Sequence, residues 1–284
     1  MCDEFIHPGL IDDARITRRT FGLIAVAAAG AAQATAPKVE VDEKDVLIKT
    51  PDGTADAALF TPAKAGTYPA VLMWPDIMGL RPAFRDMGRR LAGEGYVVLV
   101  PNPFYRSKKA PVLDGPINFS DPKTREILTG YRKAITSVPN DAKAFLAFLD
   151  TQPKTNKRRK AGVQGYCMSG PFAIQTAATL SDRIGAVATF HGGGMATKDP
   201  DSPHLLIPKT KARFLIVQAQ NDDAKDPETK VLLKEAFAAA KRPATVEVYP
   251  ADHGWTVPGS QVYDAAQAER AWSALLQLYR VALT

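Results

Sequence analysis

The stretch Ala161-Gly162-Val163-Gln164-Gly165-Tyr166-Cys167-Met168-Ser169-Gly170-Pro171-Phe172 decides the fold of this 284-residue chain. Ala161 to Gly165 predicts a short strand running straight into Cys167, and Ser169 to Leu180 predicts the helix after it. A sharp turn from strand to helix admits only small residues two places before and two places after its apex, here Gly165 and Ser169. The apex residue then stands at a helix N-terminus, where the dipole favours a thiolate. A buried structural cysteine would give the same letters, since free thiols are commonly buried. The reading therefore depends on what surrounds the turn.

Outward from the turn, strand and helix patterns alternate. Ala70 to Trp74 and Tyr96 to Val100 are continuous apolar runs of the kind that parallel strands buried on both faces produce, with helical spacing between them from Arg81 to Gly93. After the turn come a strand at Ile184 to Phe190, a strand at Arg213 to Gln218, a helix at Glu228 to Ala240, a strand at Thr245 to Tyr249 and a closing helix at Tyr263 to Val281. Arg125 to Leu149 is helical in pattern and interrupted near Pro139. Asp45 to Lys49 and Ala57 to Thr61 flank the turn signal Pro51-Asp52-Gly53 and predict an N-terminal hairpin. Residues 102 to 122 are rich in proline and lack periodicity, which predicts a long surface loop. Such alternation implies an α/β fold with a mainly parallel central sheet and helices on both faces.

Two residues downstream complete a nucleophilic arrangement. Asp222 follows the Arg213 to Gln218 strand, and His253 follows the Thr245 to Tyr249 strand, so both fall at carboxyl ends of strands, on the edge that carries Cys167. Nucleophile, acid and histidine in this chain order are those of an α/β-hydrolase. Cys167 would attack an acyl carbon, His253 would carry the proton, and Asp222 would orient the imidazole; Asp223 is the alternative acid.

These residues resemble the dienelactone hydrolase family of α/β-hydrolases, whose turn reads Gly-x-Cys-x-Gly-Gly where this chain has Gly165-x-Cys167-x-Ser169-Gly170. The resemblance runs in element order over about residues 45 to 280 and implies an ester or lactone hydrolase working through a thioester. It also implies an oxyanion hole from the backbone N–H groups of Ile77 and Met168, and a carboxylate, Asp76 in Asp76-Ile77-Met78-Gly79, that pairs with the resting thiol. Family members that cleave dienelactone hold its carboxylate with arginines, one of them four residues after the histidine, where this chain has Val257. Arg125 would supply the other, and Trp255 is a further candidate for substrate contact. These departures point to a substrate other than dienelactone.

The N-terminal stretch has the order of an export signal. Thr17-Arg18-Arg19-Thr20-Phe21-Gly22 precedes an uncharged, Ala-rich run from Leu23 to Ala36, with Ala32-Gln33-Ala34 as the small-residue cleavage pattern. Adjacent arginines followed by Phe resemble a twin-arginine signal. Residues 1–36 are thus expected to be a signal peptide and short linker, and residues 37–284 a single hydrolase domain, periplasmic or secreted and without stable membrane association once cleaved. Cleavage would remove Cys2 and leave Cys167 without an intramolecular partner in an oxidising compartment.

Composition narrows the remaining options. With 45% hydrophobic and 23% charged residues, disorder, collagen and a disulfide scaffold are excluded. The net charge of +6 is scattered, and the one basic cluster, Lys154 to Lys160, reads as a solvated loop, so no nucleic-acid partner is expected. The four histidines lack metal-ligand spacing and no phosphate-binding glycine loop follows the first strands, so no metal or cofactor is expected. His191-Gly192-Gly193-Gly194 follows the nucleophile instead of preceding it and reads as a glycine-rich strand end. The expected partner is a small-molecule ester or lactone and the expected state a monomer or dimer. A non-catalytic ligand-binding protein of the same fold is the alternative, and a thiol redox protein the more remote one.

Overall fold

Strands covered by helices on both sides bury both faces, and β3 (Ala70–Trp74) and β4 (Val97–Pro101) show the result: every residue in them is buried and none is charged. The computed structural model describes residues 40–113 and 121–284. The expected signal peptide lies outside the described residues. Eight strands form one sheet in the order β1-β2-β4-β3-β5-β6-β7-β8, where β1 is Val41–Thr50, β2 Gly53–Pro62, β5 Ala161–Tyr166, β6 Ile184–Phe190, β7 Arg213–Ala219 and β8 Ala244–Tyr249. β1 and β2 form the expected hairpin, longer than its apolar letters indicated, and β2 runs antiparallel to β4. From β4 through β8 every pairing is parallel, so the carboxyl ends of six strands share one edge.

Each face of the sheet carries its own helices. Helices α3 (Val138–Thr151), α4 (Gly170–Thr179) and α6 (Glu228–Ala239) place Phe145, Ile174 and Phe237 in the core on one side. Helices α1 (Pro82–Gly93) and α7 (Ala265–Ala282) place Phe84, Leu91 and Leu275 in the core on the other. Fold class and layering are as the alternation predicts. The helical stretch expected from Arg125 to Leu149 is two helices, α2 (Pro122–Lys133) and α3. The break falls before Pro139 because Ser137 caps α3, accepting from Asn140 N–H at 3.3 Å, and Pro139 sits in the first turn, where it has no intrahelical bond to remove. A short helix that the sequence did not signal, α5 (Gln220–Lys225), follows β7 directly. Among the described residues, no helix is long and apolar enough to cross a membrane.

Candidate active site

The turn after β5 is as tight as its letters require. Cys167 has a left-handed backbone, with φ of 55°, a conformation that costs a non-glycine residue roughly 1–3 kcal/mol and persists only where its surroundings enforce it. A Cβ on Gly165 would lie 2.0 Å from the carbonyl oxygen of Ser169, so only glycine fits there. A Cβ on Gly170 would lie 2.8 Å from Gly192 Cα, which shows how closely α4 approaches the glycine-rich segment after β6. That segment braces the turn: Gly193 N–H donates to the Cys167 carbonyl at 3.2 Å.

Ser169 does more than stay small. Its buried hydroxyl accepts from Tyr166 N–H at 3.1 Å and faces three carbonyl acceptors, Pro75 at 2.7 Å, Trp74 at 3.0 Å and Tyr166 at 3.0 Å. One proton serves one acceptor best, and the shortest contact is to Pro75, one residue before Asp76. The hydroxyl therefore ties the nucleophile turn to the loop after β3. A glycine at this position would make no such tie.

Asp222 and His253 meet at the sheet edge. His253 Nδ1 is 2.5 Å from Asp222 Oδ2, and Asn221 Oδ1 accepts from the His253 N–H at 2.9 Å. The other imidazole nitrogen, Nε2, is left for the neighbouring Cys167, whose sulfur acts on the imidazole charge. Burial disfavours a charge on His253, but the Asp222 carboxylate and the Cys167 sulfur outweigh it and hold the imidazole protonated, its pKa pushed up to about 10. The alternative acid, Asp223, turns away and pairs with Lys230 Nζ at 2.6 Å. α5 separates the two: its first turn carries both aspartates, and only Asp222 is directed at His253.

Three expected residues stand elsewhere. Asp76 does not pair with the thiol: its Oδ1 and Oδ2 accept from Arg81 Nη1 and Nη2 at 2.6 and 2.8 Å, and Oδ1 also accepts from Met78 N–H at 2.9 Å. A guanidinium five residues away in a tight loop offers a planar fork that a neutral thiol cannot match. Trp255 is fully buried, packed between Tyr249 and His191, so it presents no exposed surface for substrate contact. Arg125 is exposed on α2, and its side chain has no hydrogen bond or ion pair among the described residues.

Of the two expected oxyanion donors, the Ile77 N–H has no acceptor among the described residues, and the Met168 N–H lies in the first helical turn after β5, where amides lack intrahelical acceptors. Around them is an apolar cluster of buried Phe104, Val112, Leu128 and Met168, against which Ile77 and Cys167 pack. The sequence did not bring His191 into the site. Its ring lies 4.8 Å from that of His253 between centroids, its Nε2 hydrogen-bonds with Thr256 Oγ1 at 2.9 Å, and complete burial, with the neighbouring His253 charge, holds it neutral. The only sequence signal was its position at the end of β6, on the same sheet edge as the other site residues.

Comparison with known proteins joins this geometry to a family. The profile of the dienelactone hydrolase family matches residues 55–283. The chain belongs to the dienelactone hydrolase family. A carboxymethylenebutenolidase of Rhodococcus opacus is 25% identical over 243 residues, covering 83% of this chain and 90% of that one. The dienelactone hydrolase-like promiscuous phosphotriesterase P91, from metagenomic libraries, superposes with a TM-score of 0.70 at 21% identity, covering 86% of this chain and 99% of that one. A dienelactone hydrolase from Anabaena variabilis superposes with a TM-score of 0.60 at 16% identity, with the same coverage. This member of the dienelactone hydrolase family is a dienelactone hydrolase-like hydrolase with a small-molecule substrate.

Proposed function

We propose that the protein cleaves carboxylic esters or lactones through a thioester on Cys167, with His253 as acid–base and Asp222 orienting the imidazole. The observation that carries this reading is the Asp222–His253 hydrogen bond at the sheet edge that also holds Cys167 in a left-handed turn, its sulfur near enough to act on the imidazole charge. The Cys167 thiolate attacks the acyl carbon, and the developing oxyanion is met by the N–H groups of Ile77 and Met168, a pair of donors worth several kcal/mol of barrier. As the carbon–oxygen bond breaks, the alcohol leaves with the proton from His253. His253 then takes a proton from water, the resulting hydroxide attacks the thioester, and the acid leaves as the thiolate and imidazolium re-form.

The acyl group that fits is uncharged. Cys167 packs against the Phe104, Val112, Leu128 and Met168 cluster, and the position where dienelactone-cleaving relatives carry an arginine is the buried Val257. The Arg18-Arg19 stretch supports export, and so action outside the cytoplasm by a domain covering residues 37–284. The test is hydrolysis of a panel of neutral p-nitrophenyl esters, small lactones and dienelactone by wild type, Cys167→Ala and His253→Ala. Turnover of neutral esters that falls by about a thousandfold or more in both variants, with the fold intact, is the expected result. Retention of most activity in either variant would overturn the mechanism, and equal wild-type rates on dienelactone and neutral esters would overturn the substrate reading.

A further inference from the structure

We infer that His191 is a positioning residue for the reaction: its ring is a fixed wall against which the His253 imidazole rests, so that the imidazole keeps one orientation through turnover. The inference rests on His253 as the acid–base of the proposed mechanism and adds what holds its ring.

Three observations support it. First, His253 needs a second support. Its Nδ1 contact to Asp222 Oδ2 at 2.5 Å fixes one point of the ring, and a ring held at one point can still pivot; the side chain is 33% exposed, so part of it borders solvent. Second, His191 meets it directly. The two ring centroids are 4.8 Å apart with the planes at 60°, an edge-to-face arrangement. Burial, together with the His253 charge, keeps His191 neutral, so the rings meet without like-charge repulsion.

Third, the His191 ring is itself fixed. Along β6, Ala186, Ala188 and Phe190 face one core and Val187 the other, so an unbroken strand would turn residue 191 toward the Val187 side. His191 instead has a left-handed backbone, with φ of 42°, a strained state that persists only where its surroundings enforce it. That step cancels the alternation: the ring lies 5.1 Å from Trp255 and 6.2 Å from Tyr166 between centroids, and both belong to the core that holds Phe190. Its Nε2 hydrogen-bonds with Thr256 Oγ1 at 2.9 Å, three residues beyond His253, and its backbone N–H donates to the Val217 carbonyl at 2.8 Å. The loop after β8 closes around His253 through a Trp255 N–H contact to the Asp252 carbonyl at 3.0 Å. His191 thus ties β6 and β7 to the loop that carries the imidazole it supports, and proton transfer is sensitive to small errors in that placement.

The test pairs kinetics on p-nitrophenyl acetate with proton NMR of the full chain free of substrate, where the proton of the short Asp222–His253 hydrogen bond resonates far downfield. His191→Ala, which removes the wall, is expected to lower kcat by about fiftyfold while KM stays within about threefold, and to broaden or shift the downfield signal. His191→Phe, which restores a ring without the bond to Thr256, is expected to recover at least about tenfold of that loss together with the signal. A merely structural role would leave the signal of the folded variant in place. Retention of kcat within about threefold in His191→Ala, an unaltered signal there, or no recovery in His191→Phe overturns the inference. Where His191→Ala does not fold, Thr256→Val decides: it leaves the ring but unties it, and a fall in kcat of about fivefold or more with a broadened signal is expected, whereas either one unchanged overturns the inference. The NMR signal does not require turnover, so failure of the acid–base reading would appear separately, as full hydrolysis by His253→Ala.

Discussion

His253 Nδ1 lies 2.5 Å from Asp222 Oδ2, while the adjacent carboxylate, Asp223, is 2.6 Å from Lys230 Nζ. Two neighbouring aspartates of one short helix thus have unlike tasks. Asp222→Asn is expected to lower kcat by about a thousandfold or more, because the amide no longer fixes the tautomer or stabilises the imidazolium. Asp223→Asn is expected to stay within about threefold of wild type. Asp222 raises the pKa of His253, so its loss also moves the alkaline fall of kcat/KM from near pH 10 to lower pH. Steady-state kinetics across pH on a neutral ester reads both effects.

Ser169→Ala removes the tie between the nucleophile turn and the loop after β3. Its Oγ is buried and in contact with Tyr166 N–H and the Pro75 carbonyl, so a loss of about 1–3 kcal/mol is expected in denaturant unfolding. kcat is expected to fall more than KM rises, since Ile77, two residues after Pro75, carries one of the two N–H groups proposed to meet the developing oxyanion.

Gly165→Ala places a methyl 2.0 Å from a backbone oxygen, and no side-chain movement relieves that contact. The variant is expected to lose at least several kcal/mol of stability, seen as a large drop in Tm or absence of soluble protein.

His191 links pH to stability. Buried and held well below its ordinary value of 6.5, it stays neutral in the folded chain, while the unfolded chain takes up a proton below about pH 6.5. Stability therefore falls as pH drops through that value. His253 has the opposite sign: its raised pKa contributes stability that is fully present below 6.5 and is lost as pH rises toward about 10. His191→Gln, which cannot titrate, is expected to be less stable at pH 7 but to lose less stability between pH 6.5 and 4.5, as urea unfolding at each pH would show.

The layered fold was legible because strands buried on both faces must read as unbroken apolar runs, as Ala70–Trp74 and Val97–Pro101 do. The positions of Cys167, Asp222 and His253 were legible because each follows a strand whose end the pattern marks. What stayed hidden depends on which way a side chain turns. Asp76 and Arg81 are five residues apart, yet their pairing follows from the loop geometry between β3 and α1. Trp255 reads equally well as a floor or a wall until the loop after β8 is folded over Tyr249. Ser169 signals only that it is small, because its hydroxyl partners, Trp74 and Pro75, are more than ninety residues away. His191 reads as part of a glycine-rich strand end, which it is, but the same edge brings its ring to His253.

The most direct measurement is intact-protein and peptide mass spectrometry of wild type mixed with p-nitrophenyl acetate, quenched in acid at short times, with Cys167→Ala in parallel. An acetyl group on Cys167 that appears with the first turnover, decays as product accumulates and is absent from the variant is the expected result. Product formed with no adduct at Cys167, or at an equal rate in Cys167→Ala, would contradict a thioester mechanism.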